Sequence, residues 1–190
     1  ISAGRLGLNG GTLSGSVAHI GTGRIQLFSS PLSVMDGVQI TGAWSTSDAT
    51  GTARVRNGLS VTGSLLLSGS SLSFVFEGDQ SLSAALISLG GSTVNPVRLD
   101  IDGASTLTIP SQLTGFGTIG AQRYATGPTR LVNNGTITAT NANGPLRIKT
   151  SSLINNGTLA ATNSARLIIE NPSGLVNNGQ ISLTSGRLQL

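Results

Sequence analysis

Apolar residues along this chain return at every second position in short runs, and glycine, asparagine or serine breaks each run after a few residues. Leu6-Gly7-Leu8, Ile25-Gln26-Leu27, Val38-Gln39-Ile40, Leu59-Ser60-Val61, Leu72-Ser73-Phe74-Val75-Phe76, Leu99-Asp100-Ile101 and Leu107-Thr108-Ile109 all follow this rule. Such alternation puts one set of side chains inside a strand and the other outside, and the breaks predict corners. No stretch carries a helical period with caps. The alternation also repeats. Gly37-Val38-Gln39-Ile40-Thr41-Gly42 returns as Gly58-Leu59-Ser60-Val61-Thr62-Gly63, and Leu131-Val132-Asn133-Asn134-Gly135-Thr136-Ile137 returns in near-identical form starting at Leu153 and again at Leu175. A fixed period in the 20s predicts stacked coils, because one coil cannot bury its apolar face until a neighbour covers it. The expected fold is all-β, a single-stranded parallel β-helix (β-solenoid) of about 21–22 residues per coil. Residues 1–190 form one segment of it, with the clearest repeats at 131–152, 153–174 and 175–190. The chain would hold between eight and nine coils, a rod of roughly 40 Å at the usual strand spacing.

The repeated phrase predicts two structural devices. Asn133, Asn155 and Asn177 share one phase, with Asn134, Asn156 and Asn178 beside them, so each amide can donate to the carbonyl of the Asn below it in a ladder. Gly135, Gly157 and Gly179 follow, and a positive φ there would turn the chain at a corner. Asn-Gly between apolar alternations is also a hairpin signal; the regular spacing favours coils. Leu113 with Gly115-Phe116-Gly117-Thr118-Ile119 reads as a shorter, earlier version of the coil that begins at Leu131.

Composition fits a narrow core. Charged residues are 9 %, aromatics 3 %, and glycine occupies 27 positions, so the core must be filled by stacked Leu, Ile, Val and Ala. Without cysteine there is neither a disulfide nor a thiolate metal site. No apolar run approaches the roughly 18 residues of a membrane span, and no basic-then-apolar leader opens the chain. The chain begins at Ile1 without a methionine and stops inside Leu188-Gln189-Leu190, as a segment of a longer protein would.

Charge divides unevenly. Residues 1–102 carry five Arg against six acids; residues 103–190 carry Arg123, Arg130, Arg147, Lys149, Arg166 and Arg187 against Glu170 alone. A basic half points to a polyanionic partner such as a surface glycan, with Arg147, Lys149, Arg166 and Arg187 as a loose column over consecutive coils. The same cations spread over several coils also fit a merely solvated face. No aromatics interleave with them to stack bases, which argues against nucleic acid.

From Gly37 to Leu190 the chain resembles the repetitive passenger regions of large secreted bacterial surface proteins, the filamentous-haemagglutinin-like and autotransporter-adhesin group. The resemblance rests on the two Gly-flanked phrases at 37–42 and 58–63, and on Ser71-Leu72-Ser73-Phe74 followed by Gly78-Asp79-Gln80-Ser81-Leu82. Ser105-Thr106-Leu107-Thr108-Ile109, Gly117-Thr118-Ile119-Gly120 and the three Asn-Asn-Gly phrases complete it. It implies a right-handed parallel β-helix displayed outside the cell or on a bacterial surface. The implied role is structural and adhesive rather than enzymatic, with no cofactor, and the adjacent coils of the parent chain are its nearest partners.

Candidate chemistry is sparse. Gly115-Phe116-Gly117-Thr118-Ile119-Gly120 matches the dinucleotide fingerprint, but that motif needs a following helix and an acid about 20 residues on, and the next acid is Glu170. Asp100 and Asp102 lie two apart in an alternating strand, and Glu77 and Asp79 are spaced alike. Three readings compete for them: a solvated outer face beside buried Leu99 and Ile101, a calcium corner, or the paired carboxylates of glycoside hydrolysis. The last would make the chain a polysaccharide-acting enzyme on the same scaffold, and an enzyme should gather charged and aromatic groups on one face of neighbouring coils. His19 is the sole histidine; a serine triad would need it with Asp36 or Asp48, and no nucleophile elbow is present. Asn134-Gly135-Thr136 and Asn156-Gly157-Thr158 satisfy a glycosylation pattern that is incidental in a bacterial protein. The Thr136, Thr138, Thr140 row is not repeated in the next coils, as an ice-matching face would require.

Overall fold

Residues 3–18, 24–28, 30, 33–46, 50–170 and 173–190 are described by a computed structural model. Among them there is no helix, and named strands pair with one another in parallel. The chain visits three faces per turn. Face one holds Thr106–Ile109, Arg130–Asn133, Ser152–Asn155 and Gly174–Asn177. Face two holds Gln112–Gly115, Thr136–Ala139, Thr158–Thr162 and Gln180–Thr184. Face three holds Ser73–Glu77, Arg98–Asp102, Gly117–Ile119, Leu146–Ile148, Arg166–Ile169 and Arg187–Gln189. Each strand lies on its counterpart one turn earlier, giving a β-solenoid of about eight turns. The hairpin alternative is excluded: the Asn-Gly pairs carry the chain from face one to face two, and among the described residues the antiparallel contacts are isolated bridges at Gly91–Pro96 and Thr162–Ser185.

Register explains how so few aromatics suffice. Leu107, Leu131, Leu153 and Leu175 form one inward column, Leu113, Ile137, Leu159 and Ile181 a second, and Ile119, Ile148 and Ile169 a third. Like packs on like, so one side-chain width fills the interior; each buried aliphatic contributes about 1.5–3 kcal/mol. The N-terminal turns use Trp44, Phe74 and Phe76, all buried, with the Trp44 and Phe74 rings edge-to-face at 5.8 Å. The Trp44 indole N–H is satisfied by the Ile25 carbonyl at 3.3 Å.

Both asparagine ladders form, but they differ. The inner column runs Ile109, Asn133, Asn155, Asn177, and its two central amides are fully buried. Asn133 Nδ2 donates to Asn155 Oδ1 at 2.6 Å and to the Thr158 carbonyl at 3.0 Å; Asn155 Nδ2 donates to Asn177 Oδ1 at 2.6 Å and to the Gln180 carbonyl at 3.2 Å. Asn133 stands on Ile109, which has no amide to offer, and its Oδ1 accepts from the Gly135 N–H at 3.2 Å instead. The outer ladder is solvent-exposed and runs the other way, Asn178 to Asn156 and Asn156 to Asn134, each at 2.9 Å.

The corner glycines have a different cause from the one expected. None of Gly135, Gly157 and Gly179 lies in the left-handed region. What excludes a side chain is the turn beneath: a Cβ on Gly157 would sit 1.9 Å from the Gly135 carbonyl oxygen, one on Gly179 2.0 Å from that of Gly157, and one on Gly135 2.1 Å from that of Ser111. Those same carbonyls accept the inter-coil bonds from Thr158, Gln180 and Thr136 at 2.8, 2.8 and 3.2 Å. Close approach, not φ, selects glycine there.

Two segments break the even period. Leu131 pairs with Leu107, while Leu113 pairs with Ile137, so the expected equivalence of Leu113 with Leu131 is wrong by one face. Ile119 pairs with Ile148, a longer interval than the repeat, because residues 120–129 leave the stack as an outward loop before face one resumes. A smaller excursion at 91–96 lengthens the turn between Ser73–Glu77 and Arg98–Asp102.

These contacts separate two glycines of one repeat. Gly157→Ala should cost roughly 2–4 kcal/mol because the Gly135 carbonyl must move. Gly174→Ala should be neutral or slightly stabilising, since no atom lies within 4 Å of its Cβ direction and its φ is ordinary. Urea midpoints of the two variants test this; equal effects would remove the close-approach explanation.

Candidate functional site

Charged residues gather on face three and on the strands Val34–Thr41 and Thr52–Leu67 that stack next to it. Arg54 registers with Val75 and Val75 with Asp100, while Asp36 registers with Arg56 and Glu77 with Asp102. Alternating signs on neighbouring strands then pair across turns. Glu77 bridges two cations, Oε1 accepting from Arg54 Nε and Oε2 from Arg56 Nε at 2.7 Å. Burial pushes the Glu77 carboxyl up, but hydrogen bonds from Arg54 and Arg56 and their charges outweigh it and hold it below its usual 4.5.

Asp100 and Asp102 do not face solvent. Both are buried on the outward side while Leu99 and Ile101 are buried on the inward side, so the expectation of a solvated carboxylate face is corrected. Asp100 accepts from Ser73 Oγ at 2.6 Å and pairs with Arg98 Nη2 at 2.9 Å. Asp102 accepts backbone N–H groups of Arg123, Tyr124 and Ala125 at 2.6, 2.9 and 3.3 Å, which pins the outward loop against the solenoid. Each carboxylate is saturated by its own partners, leaving little of it to ligate a cation or move a proton. Glu77 and Asp79, by contrast, do not share a face: Glu77 ends its strand, Gly78 turns at φ +82°, and Asp79 Oδ1 accepts from the Thr106 N–H at 2.8 Å.

Sequence reasoning missed the loop and its aromatic. The Tyr124 ring, 48 % exposed, has the Arg54 and Arg123 guanidinium carbons each 5.8 Å from its centroid. The signal available was the interval between Ile119 and Arg130, too long for a corner and too short for a coil.

In the basic half, the four candidate cations form two groups rather than one column. Arg147 registers with Thr118 and Ile168, whereas Arg166 registers with Arg187. Glu170 joins the first group, bonded to Arg147 Nη1 through Oε1 and to Lys149 Nζ through Oε2 at 2.8 Å. Burial pushes the Glu170 carboxyl up, yet hydrogen bonds from Lys149 and then Arg147, with their charges, hold it below 4.5. Arg166 and Arg187 are exposed, one rung apart, and among the described residues neither meets a carboxylate.

The remaining motifs resolve as construction. Gly115, Gly117 and Gly120 of the fingerprint have φ of +121°, +142° and +92° and are followed by strand and loop, not a helix. A Cβ on Gly115 would meet the Leu89 carbonyl at 1.9 Å. Thr136 and Thr138 register with Thr158 and Ala160, so the threonine row is broken in the next turn. His19 and Asp48 lie outside the described residues; Asp36 Oδ1 accepts from Asn57 Nδ2 at 2.6 Å.

Both lowered carboxyls link stability to pH with the same sign. A carboxyl whose folded value lies below its unfolded one stabilises fully above the unfolded value and loses that contribution as pH falls through the folded one. Unfolding midpoints should therefore be level above about pH 5 and fall below about pH 4.5. Glu77→Gln with Glu170→Gln should flatten that fall, and an unchanged acid limb would show that neither bridge matters to folding.

Comparison with protein-family models, with curated proteins and with solved structures gives no match, and the chemistry of the surface alone bears on function.

Proposed function

We propose that this chain is a non-enzymatic structural and adhesive segment of a bacterial cell-surface or secreted fibrous protein, built like filamentous-haemagglutinin or autotransporter passenger repeats. Its outer surface holds polyanionic surface glycans, and the coils of the parent chain are its structural partners. The observation that carries the reading is the state of the charges on face three. Glu77, Asp100 and Glu170 are each bound by arginine or lysine across or along turns, and Asp102 by backbone N–H groups. Arg166 and Arg187 are left facing water. A rod whose acids are internally neutralised attracts anions along its length, weakly and over short range, within a Debye length of about 8 Å at physiological ionic strength.

One observation favours a polysaccharide-acting enzyme instead. Tyr124, Arg54, Arg123, Glu77 and Asp102 gather on neighbouring turns, the kind of concentration an active site needs. The state of the carboxylates weighs against it, since Glu77 is held ionised by two guanidinium groups and Asp102 is occupied by three amides.

Retention of residues 1–190 on immobilised heparin tests the proposal. Retention should exceed that on a neutral dextran of equal density and fall steeply as salt rises. Retention that is absent, or that ignores salt, would overturn it. Depolymerisation of a polysaccharide that vanishes in Glu77→Gln, with the circular dichroism spectrum unchanged, would establish the enzyme.

A further inference from the structure

We infer that Arg166 and Arg187 form a clamp for a single oxyanion group, a sulfate ester or carboxylate, carried by an acidic polysaccharide. The inference rests on the glycan-binding reading above and assigns it a site.

Three features converge. Arg166 and Arg187 are register partners at the start of successive face-three strands, so their backbones are one strand spacing apart, about 4.8 Å. Like charges directly opposite one another destabilise a sheet. Elsewhere Arg54, Arg56, Arg98 and Arg147 each reach a carboxylate, at Glu77, Asp100 or Glu170. Here the chain places arginine on arginine.

The second feature is the corner beside them. Ser164 and Ser185 precede the two arginines by two positions each, and both hold φ of +59°, a conformation that few residues other than glycine adopt. The strain is fixed by the Ser164 N–H bonded to the Ser185 carbonyl at 2.7 Å. Strained non-glycine turns of this kind concentrate at ligand clamps.

Third, the two serines and the two arginines line one depression of about 600 Å³, with Ala142 and Gly186 completing its wall. Gly186 brings the chain so close to the turn below that a Cβ would sit 2.4 Å from the Ala161 carbonyl. The depression therefore offers two planar guanidinium forks and two hydroxyls, and among the described residues no acid lines it. A guanidinium fork matches the oxygens of a sulfate or carboxylate two at a time, and one such group held between two forks relieves their repulsion. The serine hydroxyls then face the sugar hydroxyls next to the charged substituent. Arg147 and Lys149 are no part of this clamp, because Glu170 already holds both.

The test compares Arg166→Gln, Arg187→Gln, their double and Arg147→Gln, each in residues 1–190. Affinity for a heparin octasaccharide is measured at constant salt, with melting temperature as the control for folding. Either clamp variant should weaken binding about tenfold, the loss of one charge-assisted contact, and the double should add little, because one arm alone does not clamp. Arg147→Gln should change affinity less than about twofold. Without ligand, Arg187→Gln should melt no lower than the parent, since it removes a repulsion, and inorganic sulfate should raise the melting temperature of the parent but not of the double.

Equal losses from Arg147→Gln and the clamp variants would overturn the clamp and leave the glycan reading standing. No binding by the parent would overturn both. Binding to a polyuronate as well as heparin marks the carboxylate as sufficient, and binding to heparin alone marks the sulfate; either supports the clamp. Binding to phosphatidylserine vesicles but to neither polysaccharide would overturn it.

Discussion

Every part of this molecule answers to the vertical contact between one turn and the next. Strand backbones stack at about 4.8 Å, and whatever points inward or sits at a corner must tolerate its own counterpart at that distance. Leucine on leucine does so by packing, and Asn155 does so by accepting from Asn133 and donating to Asn177. Gly157 does so by having no side chain to strike the Gly135 carbonyl. A buried amide is tolerable only because the neighbouring turns complete its hydrogen bonds; unpaired, it would cost about 1–3 kcal/mol. The inner ladder thus makes each turn a template for the next, while the exposed outer ladder, which competes with water, adds less.

The repeat period carried the architecture in the open. Three phrases at equal spacing placed Asn133, Asn155 and Asn177 in one column, and the alternation around them gave the strands. The reason for glycine at the corner was not legible, because steric exclusion by a carbonyl one turn earlier leaves the same residue type as a positive φ would. The face of Leu113 is hidden for a related reason: φ-x-φ runs look alike on all three faces, and the loop at 120–129 shifts their phase. The burial of Asp100 and Asp102 was hidden too. It depends on Arg98 and Ser73 for one and on three loop amides for the other, and no local pattern announces a loop folding back on a strand.

Charge is scarce here, and its placement is correspondingly informative. With 9 % charged residues, each carboxylate on face three has partners supplied by its own strand, by other turns or by the loop, and the ion pairs between turns reinforce the register. Surface pairs of this kind contribute little singly. Against that arrangement, Arg166 and Arg187 stack in register and, among the described residues, neither meets a carboxylate, within residues 103–190 where positive charge is concentrated.

That the inner amide ladder holds the turns in register is tested most directly by comparing Asn155→Ala with Asn156→Ala in chemical unfolding. Asn155 is fully buried, and its loss leaves one Nδ2 donor of the buried Asn133 without its acceptor; Asn156 belongs to the exposed ladder in the same turn. The account predicts a loss of about 2–3 kcal/mol for Asn155→Ala and under about 1 kcal/mol for Asn156→Ala. Equal losses, or a larger one at Asn156, would contradict it.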